Sequence, residues 1–257
     1  MQENSALGRA QAMVRDLRRR CPWDRAQTRE TIRPYLVEEV FELDYAVAEG
    51  EPLAIREEVA DLLLHLAWQL VLAEERGEFS SEDAATDLEA KMKRRHPHLF
   101  DLGPAEEWGR LKERERRLGD GVRHRGVLDG LPRSLPDLAL AFRLQERAAG
   151  VGFDWPDASG PAAKVREELE EVEAEIVNGE AGRAERLDHE IGDLLFSVVN
   201  LARKVGIHPG PALERANQRF TARFRHVERL AEERGRDLAG AGLAELDRLW
   251  EEAKEAG

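Results

Sequence analysis

Carboxylates recur in this chain in two matched sets. Glu38-Glu39-Val40-Phe41-Glu42 is followed after fifteen residues by Glu58-Val59-Ala60-Asp61, and Glu167-Glu168-Leu169-Glu170-Glu171 is followed after eighteen by Glu190-Ile191-Gly192-Asp193. Acids three and four apart share one helix face, where each pair repels by about 0.2–0.5 kcal/mol unless a cation offsets it. Hard oxygen ligands at this density suit Mg²⁺ or Mn²⁺, whereas Zn²⁺ ordinarily recruits His or Cys. A solvated acidic face explains one such run, but two matched pairs point to divalent metal sites.

The helices that must position these acids are legible from the apolar residues between them. Leu36, Val40, Leu43 and Val47 form one stripe and Ile55, Val59, Leu62 and Leu66 another, and both are expected to be core. At about 100° per residue, Glu39 and Glu42 lie on one flank of the first stripe, and Glu58 and Asp61 on the matching flank of the second. An antiparallel hairpin brings those flanks to the same side, and the four acids converge. Their heights agree, since 42 and 58 are equally far from residue 50, and Gly50-Glu51-Pro52 supplies the turn. In the second copy, Val165, Leu169, Val172 and Ile176 face Leu187, Ile191, Leu194 and Val198 about a turn near Asn178-Gly179-Glu180.

The repeat divides the 257 residues into two domains, expected at 1–118 and 131–257 with a Gly-rich, charged linker at 119–130. With 42% hydrophobic residues each half can bury a core, and 35% charged with only 6% aromatic favours amphipathic helices over strands, so the fold expected is all-α. Helical patterning runs over roughly 6–20, 29–49, 53–76, 81–95 and 105–118, then over 134–150, 160–178, 183–205, 209–234 and 241–255. Thr28, Ser80, Ser134 and Asp157 are the expected N-caps or near-caps.

Net charge −13 argues against a nucleic-acid polymer as partner, because such binders present a basic stripe to phosphates. A small metal-bound phosphate compound fits better. Cys21 is the only cysteine, so no internal disulfide forms. No apolar run approaches the ~18 residues of a membrane span, and Met1-Gln2-Glu3-Asn4-Ser5 has no signal-peptide character. The expected location is cytoplasmic, without a membrane partner.

Cations, the other half of a phosphate site, appear one helix after the acids in each copy. Lys91 and Arg95 are spaced i,i+4, as are Arg219 and Arg223, so each pair can bracket phosphate oxygens. Weaker echoes repeat too: Pro22-Trp23-Asp24 and Phe153-Asp154-Trp155-Pro156 precede the acidic helices, and Trp108-x-x-x-Lys112 matches Trp250-x-x-x-Lys254. A Trp beside Pro is read first as a core plug and Trp68 as core. His65, on an apolar helix, reads as a core or interface residue, and Pro97 makes His96-Pro97-His98 a loop rather than a ligand pair.

Together, Cys21-Pro22-Trp23-Asp24, the two acidic pairings, Arg94-Arg95-His96-Pro97-His98, Leu135-Pro136 and Val151-Gly152-Phe153-Asp154-Trp155 resemble the MazG nucleoside triphosphate pyrophosphohydrolases over nearly the whole chain. The resemblance implies two tandem all-α MazG domains, a homodimer, and Mg²⁺-dependent hydrolysis of nucleoside triphosphates to monophosphate and pyrophosphate. It implies Glu168, Glu171, Glu190 and Asp193 as metal ligands of the second domain, with Glu167 in the same acidic shell and Arg186, Arg219, Arg223 and Trp250 around the nucleotide. In the first domain the matching acids are Glu39, Glu42, Glu58 and Asp61.

Two positions depart from the pattern. His189 stands where Glu57 stands in the first copy, as a water-orienting base, a nucleotide contact or a tolerated rim substitution. Ala60 stands where Gly192 stands in the second. The implied chemistry is attack of metal-activated water at the α-phosphate, with Glu167 or Glu38 taking the proton and Arg219 and Arg223 holding the distal phosphates. A redox di-metal bundle is the nearest structural rival, but the chain has no Glu-x-x-His. A non-catalytic helical partner-binding module is the other alternative.

Overall fold

The computed structural model describes residues 5–104, 126–178 and 183–255. The expected helix at 105–118 with Trp108 and Lys112, linker residues 119–125, and Gly179-Glu180 of the second turn lie outside the described residues. Those that are described are all-α, and no strand occurs among them. The chain divides into two compact units, Met1–Glu106 and Glu107–Gly257.

In the first unit α1 (Ala6–Arg20), α2 (Pro22–Ala26), α3 (Arg29–Glu49), α4 (Pro52–Glu75) and α5 (Ser81–Arg95) follow in order. The bounds have local chemical causes. Thr28 and Thr31 form a capping box at the start of α3, and Ser80 with Asp83 forms another at α5. Helix α3 stops at Gly50, whose φ of 77° is left-handed, and Pro52 then opens α4 at a position that needs no backbone donor. Helices α3 and α4 form the expected antiparallel hairpin, and α1 packs against α4.

The core of this unit joins Val14, Ile32, Ala67, Trp68, Val71 and Leu72. Arg18 fastens it: the guanidinium stacks 5.2 Å from the Trp68 ring centre and donates to the Asp24 and Gln27 carbonyls. It also grips Glu75 through two hydrogen bonds of 2.8 and 2.7 Å. Trp68 is core as expected, but Trp23 is not a plug, being 57% exposed, while its neighbour Asp24 is buried.

In the second unit α6 (Asp137–Ala149), α7 (Ser159–Asn178), α8 (Arg183–Lys204), α9 (Pro209–Glu233) and α10 (Leu243–Glu255) follow. Helices α7 and α8 form a second hairpin, α6 packs on α8, and α9 pairs with α10 around Val227, Ala231, Leu249 and Ala253. Asp157 accepts from the Ser159 amide at 2.8 Å and caps α7 as expected. Ser134 does not cap α6, which begins three residues later behind Pro136. Trp155 lies directly against the Gly160 backbone, where an added Cβ would sit 2.0 Å from the indole. Asp154, bonded to Arg203 and Lys204, ties this loop to α8. Residues 126–130 are held to α6 by Arg147, which donates to the carbonyls of Val127 and Asp129.

The apolar stripes are only half core. Leu36, Leu43, Ile55 and Leu62 are half-buried in the first hairpin, and Val165, Leu187 and Leu194 in the second, where Val172 is fully buried. Val40, Val47, Val59 and Leu66 are exposed, as are Leu169, Ile176, Ile191 and Val198. Two helices meeting along one seam bury a strip narrower than the stripe of about 100° that a surface helix carries, so the outer half needs further cover. Among the described residues, no helix is long and apolar enough to cross a membrane.

Candidate metal centres

Each hairpin gathers its acids. In the first unit, carboxylate oxygens of Glu39, Glu58 and Asp61 all lie within 4.8 Å of one another. Glu39 and Glu58 hold their protons above the ordinary carboxylate range, chiefly through burial. Asp61, Glu42 and Glu58 then act on Glu39, while Glu42, Asp61 and Glu57 act on Glu58. Glu42 thus borders the trio, as the spacing predicts. Buried His65 sits one turn beyond Asp61 with Nε2 3.8 Å from Glu39, and its Nδ1 has no hydrogen-bond partner. Burial keeps this imidazole below its usual pKa, opposed by Asp61.

In the second unit the converging oxygens belong to Glu168, Glu171 and Glu190, again within 4.8 Å. Glu168 is only 4% exposed. Its Oε1 meets the Lys164 ammonium at 2.6 Å, and its buried Oε2 has no partner. Lys164 also reaches Glu167 at 2.8 Å, and both bonds raise its pKa. Glu171 is raised above the usual range by burial and by Glu168 and Glu190, with Lys164 opposing. Asp193 lies within a turn of Glu190 but faces His189, whose Nε2 is 3.4 Å from its Oδ2.

A divalent cation fits both donor sets. Each offers oxygen ligands alone, and crowded carboxylates with raised pKa values are relieved by positive charge. A buried oxygen without a partner, such as Glu168 Oε2, is otherwise a cost of about 1–3 kcal/mol or more. Glu39, Glu58 and Asp61 would hold the ion in one unit, and Glu168, Glu171 and Glu190 in the other.

The expected phosphate and nucleotide residues are placed as follows. Lys91 and Arg95 lie on α5. Arg219 and Arg223 lie on α9 beside Phe220 and Phe224, whose rings are 5.9 Å apart, and the Trp250 ring of α10 is 5.2 Å from Phe220. The α9–α10 hairpin therefore joins Phe220, Phe224 and Trp250 in one aromatic cluster, while the cation acting on Glu171 is Lys164. Arg186 donates to Glu175 at 2.8 Å across the α7–α8 hairpin. His189 is exposed. His96 Nδ1 contacts the Met92 carbonyl, and Pro97–Leu99 is a 3₁₀ turn, as the loop reading predicts.

Two residues that sequence reasoning did not connect to the acids are beside them. Lys164 precedes Glu168 by four residues and His65 follows Asp61 by four, so each stands one helical turn from a candidate ligand. That spacing was the available signal.

Residues 27–100, which span the first acidic hairpin, match the MazG nucleotide pyrophosphohydrolase domain. The chain is 39% identical to a nucleoside triphosphate pyrophosphohydrolase of Escherichia coli, over 94% of this chain and 93% of that protein. The chain belongs to the MazG family. It is likewise 39% identical to the Thermotoga maritima nucleoside triphosphate pyrophosphohydrolase/pyrophosphatase MazG, over 91% of this chain and 89% of its relative. A Mycobacterium tuberculosis nucleoside triphosphate pyrophosphohydrolase is 32% identical over 59% of this chain and 47% of its own length. MazG membership accords with the all-α fold of the described residues.

Proposed function

We propose that this MazG protein is a Mg²⁺-dependent nucleoside triphosphate pyrophosphohydrolase, releasing pyrophosphate and a nucleoside monophosphate, with Mn²⁺ as a substitute ion. The observation that carries the reading is the unpartnered, buried Glu168 Oε2 amid Glu171 and Glu190, in a chain whose relatives bear that activity in their names. Bound there, the ion supplies charge that neutralises the phosphate oxygens and the departing pyrophosphate. Asp193 and, in the first unit, Glu42 would complete the donor sets.

The chain's own residues supply the rest. Glu167, exposed and held by Lys164, accepts the proton of the attacking water, and Glu38 takes the corresponding place in the first unit. Arg219 and Arg223 hold the distal phosphates, with Trp250 against the base and Arg186 and His189 at the rim. Lys91 and Arg95 play the cationic part for the first unit. The two units each form one MazG-like bundle, and the protein acts in the cytoplasm on free nucleotides.

The exposed outer halves of the apolar stripes support a homodimer, in which each hairpin is covered by a second copy. Light scattering on the purified chain checks this, with a monomer at micromolar concentration counting against it. For the activity, a panel of nucleoside triphosphates with Mg²⁺ is assayed for pyrophosphate and orthophosphate separately. Pyrophosphate in excess, reduced in Glu168→Gln and lost when Glu58→Gln is added, is expected; orthophosphate alone, or release indifferent to chelator, overturns the reading.

A further inference from the structure

Beside its candidate ligands the second acidic hairpin carries a positive charge that the first lacks at the equivalent position. Four residues before Glu168 stands Lys164, and four residues before Glu39 stands Tyr35. Lys164 Nζ is 2.6 Å from Glu168 and 2.8 Å from Glu167, and its field also reaches Glu171. In the first unit burial and neighbouring carboxylates act on Glu39 and Glu58, and His65, with Nε2 3.8 Å from Glu39, is held below its usual pKa by burial. The consequence concerns how strongly each site takes up an ion before any nucleotide arrives.

We propose that Lys164 is a built-in counter-charge that orients Glu168 and weakens divalent-ion binding at the second site, making the first unit the tighter metal site of the chain. The inference rests on the metal-site reading given above. The ammonium occupies Oε1 of Glu168 and leaves Oε2 as a single pre-positioned donor. It also places one positive charge about one ligand length from the incoming ion. Two like-signed charges, +1 and +2, roughly 5–6 Å apart repel enough in near-aqueous surroundings to lower affinity about tenfold. Lys164 is partly exposed, which keeps the effect near that lower figure. Tyr35 carries no such charge, and the first acids gain the full benefit of an ion.

The test uses the full chain without nucleotide, titrated with Mn²⁺ and read by the electron paramagnetic resonance of the free ion. Two classes of site are expected, the tighter lost in Glu39→Gln and the weaker in Glu171→Gln. Lys164→Met tightens the weaker class about tenfold and leaves the tighter class unchanged. The reciprocal graft, Tyr35→Lys, weakens the tighter class by a similar factor, and it decides alone if Lys164→Met fails to give the native melting transition. An unchanged or weaker second class in Lys164→Met, an unchanged first class in Tyr35→Lys, or loss of the tighter class in Glu171→Gln overturns the proposal. Mn²⁺ binding indifferent to both Glu39→Gln and Glu171→Gln is a separate failure, that of the metal-site reading itself.

Discussion

Replacing Glu168 with Gln in a background where Glu58 is also Gln isolates the second site. The amide keeps the shape of the side chain but gives up the charge, so the Lys164 contact weakens while repulsion from Glu171 and Glu190 also falls. These opposed changes leave metal-free stability within about 1 kcal/mol of the Glu58→Gln parent. The ion-bound state is different. At an ion concentration 100 times the dissociation constant, binding stabilises the parent by ~2.7 kcal/mol, which raises the melting temperature of a unit this size by roughly 5–10 °C. Outer partners of a ligand change affinity by about 10- to 100-fold, so loss of a direct, buried ligand reaches at least the upper figure. At the same ion concentration the remaining stabilisation is ~0.4 kcal/mol, a shift of about 1 °C. Calorimetry with and without Mg²⁺ reads both numbers, and a full-sized Mg²⁺ shift in the double variant would falsify the assignment of Glu168 as a ligand.

Metal-dependent stabilisation is expected to grow with pH. Glu39, Glu58 and Glu171 have raised pKa values, so without metal their stabilising contribution is complete below the ordinary value of 4.5 and is lost as pH rises through the folded values, where a bound ion replaces the proton. Glu74 and Asp154 have lowered values and act with the opposite sign, so the quantity to measure is the difference between denaturation midpoints with Mg²⁺ and with chelator; a difference flat from pH 4.5 to 7.5 contradicts the argument. Trp68→Ala removes a core ring and the platform under Arg18, and should destabilise the first unit by about 3–5 kcal/mol in urea titrations; a loss below 1 kcal/mol would show that Trp68 is not central to that core. Arg223→Ala should raise KM several-fold with kcat little changed, and a fall in kcat at constant KM would exclude a role in binding the distal phosphates.

The hairpins were legible because their signals are local and mutually consistent. Acid spacing, the Gly50 stop, the Pro52 restart and the Thr28 and Ser80 caps all act within a few residues, and the helices follow them closely. Which half of each stripe becomes core was not legible, because that depends on what covers the hairpin. Only the C-terminal part of α4 receives α1, and there Trp68, Val71 and Leu72 are buried. Asp193 shows the same limit at the site: its spacing matches Asp61, yet its carboxylate lies 3.4 Å from His189, a neighbour the first copy lacks. The short α2 was also missed, since a single turn opened by Pro22 is held by Arg18 rather than by any periodicity of its own.

The same distinction between seam and flank allows a repeated acidic hairpin to differ at its site without losing its fold. Residues on the seam, such as Leu62 and Leu194, are constrained by packing in both copies. Tyr35 and Lys164, or Glu57 and His189, stand on the flank beside the carboxylates, where exchange alters the field at the site but displaces no core atom. A unit charge there changes ion affinity through Coulomb interaction alone, while the carboxylate scaffold stays in place. Divergence is thus expected first in metal affinity and phosphate handling. Swapping the flank residues between units should therefore exchange their Mn²⁺ affinities while leaving the two melting transitions within about 0.5 kcal/mol of their original stability. Affinities that stay with the original units after the swap would place the difference in the seam instead.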